Sequence, residues 1–320
     1  MFADDTNLFV NGPNKKAIFE SANKILDCLH MYMRANLLHI NLKKCCYIYF
    51  EPSKTAQKSD ASADEADDFA LKINGTEIDE VEETKFLGIT IDKTLSWLPH
   101  IKYLNKKLKC NSGMLNRIKD KIPCSLHKIL YHTLFESDLS YGITVWGGIS
   151  HNKLNPIFVT QKMCARIMFG DKEAYLNKFK TCVRARTVEK QKLGGEFYMK
   201  EHTKPLFLKH EIFTVQSLYY YHTILTLYKI MKTHTPISLY SCFTKSHRKE
   251  RLLITPQHSH HYIFKACSLW NEIRNVSQFS SVNDFSASLS QVKTWLKAIL
   301  HRQQRIGDQE EWSDENFMIS

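Results

Sequence analysis

Two adjacent carboxylates, Asp4 and Asp5, are the side chains of this sequence best suited to holding a metal. They lie between Met1-Phe2-Ala3 and Thr6-Asn7-Leu8-Phe9-Val10. Such short apolar, β-prone runs predict a tight hairpin with the acidic pair at its tip. The two charges repel each other, and Phe2, Leu8 and Phe9 desolvate them, so water, a basic partner or a divalent cation must offset the cost. A cation is the reading with chemical content. An acidic pair in a solvated turn is the plainer alternative, and the dipeptide alone does not choose between them.

The elements that would position this pair follow in order. Gly12-Pro13 predicts a helix start with proline at the first helical position. Ile18, Ala22, Ile25, Leu26, Leu29 and Met33 then recur at spacings of three and four, giving one buried stripe over 14–34, with Asn36 as a left-handed stop. Alternating apolar residues over 37–50 predict strands around the basic turn at Lys43 and Lys44. Residues 51–68 hold Ser, Ala, Lys and Asp without a large apolar side chain and read as a flexible surface insertion. Asn74-Gly75 then marks a type I′ hairpin, and a strand is expected over 86–91. Gly88 in that strand permits close backbone approach or marks a bulge.

The order of acidic hairpin, amphipathic helix, strand ending in Asn41-Leu42-Lys43-Lys44 and strand containing Phe86-Leu87-Gly88 resembles the second half of a reverse transcriptase palm. It is most similar in pattern to the LINE-type (non-LTR) retrotransposon polymerases. The resemblance puts Phe2-Ala3-Asp4-Asp5 at that family's aromatic-x-Asp-Asp box. It implies Mg2+ held by Asp4, with Asp5 as the second acidic neighbour, and two-metal phosphoryl transfer in the complete enzyme. Asn41 and Lys44 fall on the next palm motif, where Lys44 would neutralise or protonate the leaving pyrophosphate; solvated turn lysines are the plain alternative. Phe86, Leu87 and Gly88 match the primer grip. The implied partners are an RNA template, a DNA primer and a dNTP. A further metal-binding Asp of the family, with the fingers, lies upstream of this box. The 320 residues alone are therefore expected to be inactive, with an upstream polymerase segment as a partner.

The resemblance continues through 86–101 into a thumb-like region. A helix from Pro99 carries Ile101, Leu104, Leu108, Leu115 and Ile118 on one face, and Lys102, Lys106, Lys107, Lys109, Arg117 and Lys119 elsewhere. Those cations suit a template–primer backbone, or form an ordinary solvated face. Ser125 is expected to cap a helix through Leu126, Ile129, Leu130, Leu134 and Phe135, and a third helix is expected over 156–169. Farther on, the aromatic helix 218–231 and Leu269-Trp270-Asn271 resemble the post-thumb region. Trp270, Trp295, Phe213, Tyr219, Tyr220, Tyr221 and Tyr228 read as packing before base stacking. His258, His260 and His261 read as an exposed loop before a metal site.

Composition is that of a globular chain able to bury a sizeable core. The 44 Lys+Arg against 33 Asp+Glu give a net charge of +11, which favours polyanions. Acidic groups concentrate at Asp60, Asp64, Glu65, Asp67 and Asp68 and again at Asp308, Glu310, Glu311, Asp314 and Glu315, so the body between is more basic than the total implies. Nine cysteines without a C-x-x-C pair imply neither a disulfide framework nor a zinc knuckle. No secretion signal or membrane-length apolar run is present, which predicts an intracellular protein of cytoplasm or nucleus without a membrane partner.

The expected fold is α+β: a partial polymerase palm (1–50), an acidic insertion (51–69), primer-grip strands (70–95), a helical thumb (96–170), a helical post-thumb region (171–306) and an acidic tail (307–320). The expected function is that of a fragment of an RNA-directed DNA polymerase. The alternatives are a non-catalytic nucleic-acid-binding module, for which Asp4 is dispensable, and an unselected transposon remnant.

Overall fold

The structure is a computed structural model, described over residues 6–50, 69–170, 203–245, 252–254, 262–276, 285 and 287–306. Asp4 and Asp5, the 51–68 insertion, the histidines at 258, 260 and 261 and the acidic tail lie outside the described residues. The fold is α+β, mostly helical with short strands. The chain divides into two compact units, Met1–Pro99 and His100–Ser320.

In the first unit, helix α1 (Lys15–Ala35) opens at Asn14, whose side-chain oxygen accepts from the Ala17 amide at 2.8 Å. Proline therefore precedes the cap instead of occupying the first helical position, because asparagine can satisfy an orphan amide and proline cannot. Phe19, Ala22 and Leu26 form the buried stripe, while Ile25 is exposed. The left-handed residue that ends the helix is Leu37 (φ 57), not Asn36. Asn36 keeps a negative φ and bonds the Tyr32 carbonyl twice, through its backbone amide at 3.1 Å and its side-chain amide at 2.8 Å.

Four short strand pairs replace a continuous sheet among the described residues. β1 (Cys46–Tyr47) pairs in parallel with β4 (Asp79–Glu80). The expected strands across 37–50 are otherwise absent, since Leu42–Lys44 closes into a 3-10 turn in which the Lys44 amide donates to Asn41. β2 (Lys72–Ile73) and β3 (Thr76–Glu77) form the expected hairpin, with Asn74 at φ 50 and Gly75 at φ 77. The strand expected over 86–91 is instead a second hairpin, β5 (Glu83–Phe86) and β6 (Ile89–Asp92). Leu87 (φ 46) and Gly88 (φ 83) form its turn, the same left-handed pair of angles.

The core of this unit is small: Phe19, Ala22 and Leu26 meet Leu71, Ile73 and Ile78. Asn23 locks the helix to the hairpin by donating to the Ala70 carbonyl at 3.1 Å and accepting from the Lys72 amide at 2.9 Å. Buried Asp92 ends β6 and organises the loop beyond it. It accepts from the Thr94 hydroxyl at 2.6 Å and from the Ser96 and Trp97 amides at 3.0 and 2.9 Å.

The second unit is built on helices. Helix α2 (Leu98–Ile118) buries Ile101, Leu104, Leu108 and Leu115 as its spacing predicts. The next helix starts through a 3-10 turn (Cys124–Leu126) into α3 (His127–Leu130), without a side-chain cap from Ser125. It then widens into a π-helical segment, Tyr131–Glu136, before α4 (Ser137–Ser140). That widening resets the buried face. Tyr131, Phe135 and Leu139 point inward, while Leu126, Ile129 and Leu134 are exposed.

α5 (Ile143–Trp146) leads to α6 (His151–Phe169), which begins before 156 and carries Pro156 inside it. α7 (Lys204–Lys209) is followed by α8 (Val215–Thr233), capped by Thr214 and buried on most of its surface. Fully buried Gln161 joins α6 to the start of α8. It donates to the Phe213 carbonyl at 2.9 Å and the Tyr131 hydroxyl at 3.1 Å, and accepts from the Val215 amide at 2.9 Å. α9 (Ile237–Tyr240) and the pair β7 (Phe243–Lys245) and β8 (Leu252–Ile254) precede α10 (Tyr262–Val276) and α11 (Leu289–Ile306). Trp270 stacks on Phe285 at 4.9 Å beside Tyr228, deep in the α8–α10–α11 core, and Trp295 packs at its margin. Both tryptophans are packing residues, as expected. No described helix is long and apolar enough to cross a membrane.

Candidate nucleic-acid interface

Helix α2 presents two unlike faces because its cations and its apolar residues keep separate registers. At 3.6 residues per turn, positions 102, 106, 109, 113 and 117 form one narrow stripe, and 101, 104, 108, 111 and 115 lie on the other side. Lys102, Lys106, Lys109 and Arg117 are all exposed along that stripe. Gly113 sits among them with open space where a side chain would be. Surface cations at this spacing offer a linear run of positive charge to a phosphate backbone, at a rise of about 1.5 Å per residue.

Two other cations expected in that group are engaged by the protein itself. Lys107 donates to Asp138 at 2.7 Å, and the same carboxylate accepts from the Asn111 amide at 2.7 Å. Lys119 donates to the Ile167 carbonyl at 3.1 Å, while His127 reaches the Met168 carbonyl at 2.9 Å and the Lys119 carbonyl at 3.0 Å. The contacts to Ile167 and Met168 satisfy two of the last carbonyls of α6 with basic residues, the favourable arrangement at a helix C-terminus. The partners are 31 and 48 residues away in sequence, so no local pattern announces them.

The residues expected at the primer grip lie at the tip of the β5–β6 hairpin. Phe86 is half-buried and meets Phe9 edge-to-face, ring centroids 6.1 Å apart. Leu87 and Gly88 are exposed. A leucine at φ 46 is unusual, since a turn of this type favours Asn, Asp or Gly there, and it stores on the order of 1 kcal/mol of strain. Phe9 is four residues along the chain from Asp5, and its contact with Phe86 ties the segment following the acidic pair to the hairpin. No sequence pattern announces that pairing. Lys44 is exposed at the end of its 3-10 turn. Among the described residues no cluster of His, Cys, Asp or Glu is arranged to hold a metal, and Asp4 and Asp5 fall outside them.

Asp92 fixes the loop that precedes α2. Burial by itself raises its pKa, but the hydrogen bonds from Thr94, Ser96 and Trp97 outweigh it and hold the carboxyl below its usual range. The signal for this cap is present in the Asp-x-Thr-x-Ser spacing, a side-chain-to-backbone turn pattern. Gln161 has no comparable signal.

Three retrotransposon proteins share sequence with the chain. It is 26% identical over 148 residues to the "Retrovirus-related Pol polyprotein from type-1 retrotransposable element R1" of Bradysia coprophila, covering 45% of this chain and 14% of that protein. It is 23% identical over 172 residues to the "RNA-directed DNA polymerase from mobile element jockey" of Drosophila melanogaster, covering 53% and 18%. It is 28% identical over 100 residues to the "Probable RNA-directed DNA polymerase from transposon BS" of the same fly, covering 30% and 11%. All three belong to non-LTR retrotransposons, the group whose motifs the sequence resembles. The matched segments span less than a fifth of each relative's length. No family model matches the chain, and no solved structure matches it.

Proposed function

We propose that the chain is part of an RNA-directed DNA polymerase of a non-LTR retrotransposon, and that it binds the template–primer backbone through the stripe Lys102, Lys106, Lys109 and Arg117. The observation that carries this reading is the segregation of four exposed cations from the buried face of α2. The similarity to three retrotransposon proteins, two of them named as RNA-directed DNA polymerases, supports an RNA–DNA duplex as the ligand. The stripe reads phosphate, not bases, so binding is expected to be insensitive to sequence and steeply weakened by salt.

The turn at Leu87 and Gly88 is a second proposed contact. Its exposed leucine can lie against sugar or base, and the glycine beside it lets a backbone approach closely. Asp4 and Asp5 are hard oxygen donors of the kind Mg2+ takes, and two such ions lower the barrier to phosphoryl transfer in the complete family mechanism. Lys44 would stabilise the charge of departing pyrophosphate. That chemistry needs carboxylates from two strands, and the acidic pair would supply those of one.

Purified chain, mixed with fluorescein-labelled RNA–DNA hybrid, tests the proposal. Binding that survives Asp4→Ala and falls when the four α2 cations are replaced by Gln supports the backbone grip. Magnesium-dependent primer extension by the same preparation would overturn the expectation of inactivity. Equal binding by the four-Gln variant would remove α2 from the interface.

A further inference from the structure

An open cavity of about 240 Å³, which the backbone grip does not use, lies among α6, α8 and α10. Its floor is the Gly147-Gly148 turn between α5 and α6, one wall is α8 and the other is α10. A side chain at either glycine would crowd what packs on it. A Cβ at Gly147 would stand 2.8 Å from the Tyr219 ring and 2.5 Å from the Ile143 carbonyl. At Gly148 it would stand 2.7 Å from the Tyr219 hydroxyl and 3.2 Å from the Lys265 ammonium. The two glycines thus let a phenol and a cation converge on bare backbone.

The lining has the complement of groups that a nucleotide needs. Phe264, 45% exposed at the rim, offers a flat apolar face. Lys265 donates to the Gly148 carbonyl and has no carboxylate partner among the described residues, although partial burial already lowers its pKa. An ammonium partly withdrawn from water and satisfied by one neutral acceptor gains most from an anion. Gln216 donates its amide hydrogen to the Tyr220 hydroxyl at 2.8 Å, leaving its amide oxygen to accept from an exocyclic amine. Tyr219 stays protonated, because burial pushes its phenol up to about 12.

We propose that this cavity takes one unpaired nucleotide of single-stranded RNA, the base against Phe264 and the adjoining phosphate at Lys265. An aromatic platform beside a cation recognises single strands, since a paired base keeps its face stacked inside the duplex. The cavity rests on the reading of the chain as part of an RNA-directed polymerase. It adds to that reading a contact for unpaired template, separate from the α2 stripe.

The test uses the full chain with two fluorescein-labelled ligands, a single-stranded RNA and a blunt RNA–DNA hybrid of equal length. Phe264→Ala and Lys265→Gln are expected each to weaken single-strand binding by about tenfold and to leave hybrid binding unchanged. Both positions are exposed, and an unchanged thermal transition will show that the variants fold. RNA carrying 5-iodouridine should also photocrosslink to a peptide containing residue 264. Single-strand affinity unaltered by both variants, with no crosslink on α10, would overturn the cavity while leaving the α2 grip standing. Failure of the unaltered chain to bind either ligand would overturn both.

Discussion

The unit Met1–Pro99 and the unit His100–Ser320 contain the same kinds of residue but stabilise them differently. Among the described residues, the first gathers six buried apolar side chains around one helix and strands of two to four residues. The second has Leu108, Leu115, Tyr131, Phe135, Leu139, Trp146 and Tyr228 wholly removed from water. Short strands bring few backbone hydrogen bonds and little apolar burial, so local opening is less costly there. The residues proposed for polymerase chemistry belong to the thinner unit, and those proposed for the backbone grip and for RNA belong to the better-packed one. On these proposals, binding should withstand a loosening of the first unit that disturbs catalytic geometry.

The largest effect should come from Phe19→Ala, which deletes the ring packed on Tyr47, Tyr49 and Phe69 at 5.7 to 6.1 Å. A loss of about 3–5 kcal/mol is expected. Hydrogen exchange should show α1 and β2 losing protection while α8 keeps its own. Gln161→Leu should do the reverse, by about 3 kcal/mol, because it strands the Val215 amide and the Phe213 carbonyl in the interior. Both variants unprotecting the same amides would dissolve the comparison.

Asp92→Asn should cost about 2 kcal/mol at neutral pH, by weakening the charge-assisted bonds to Ser96 and Trp97. The folded carboxyl has a lowered pKa, so its contribution is present above the unfolded value of 3.8 and is lost as pH falls through the folded one. Acid titration of stability should flatten in the variant. Smaller still is the contrast between two lysines of the same region. Lys119→Met should lower stability by about 1 kcal/mol by uncapping α6, whereas Lys109→Met should leave stability within about 0.5 kcal/mol and weaken hybrid binding. Thermal denaturation and anisotropy separate the two roles. Leu87→Asn should stabilise by about 0.5–1 kcal/mol, since asparagine tolerates φ 46, while reducing affinity for primed template if the leucine is kept for contact.

Local rules account for much of this structure. The buried face of α2 and the Asn74–Gly75 hairpin follow from periodicity and turn chemistry alone. The second hairpin is hidden in the sequence because Leu87 is not a residue that a left-handed turn prefers. The inward face of the helix after Ser125 is equally hidden, because a π-helical segment breaks the 3.6-residue repeat from which such a face is read. Of the expected nucleic-acid cations, Lys107 and Lys119 look no different in sequence from Lys106 and Lys109, and only distant partners separate them. The cavity at Gly147 and Gly148 is hidden too, because the glycine turn, α8 and α10 that line it are far apart in sequence.

The most direct test of the backbone grip is the salt dependence of RNA–DNA hybrid binding by the chain and by its Lys102, Lys106, Lys109 and Arg117 to Gln variant. Each phosphate that a side chain no longer neutralises lowers the slope of log affinity against log salt by about 0.7–0.9. If the four cations hold phosphates, the variant's slope is shallower by about three, at unchanged stability. Two parallel lines would contradict it.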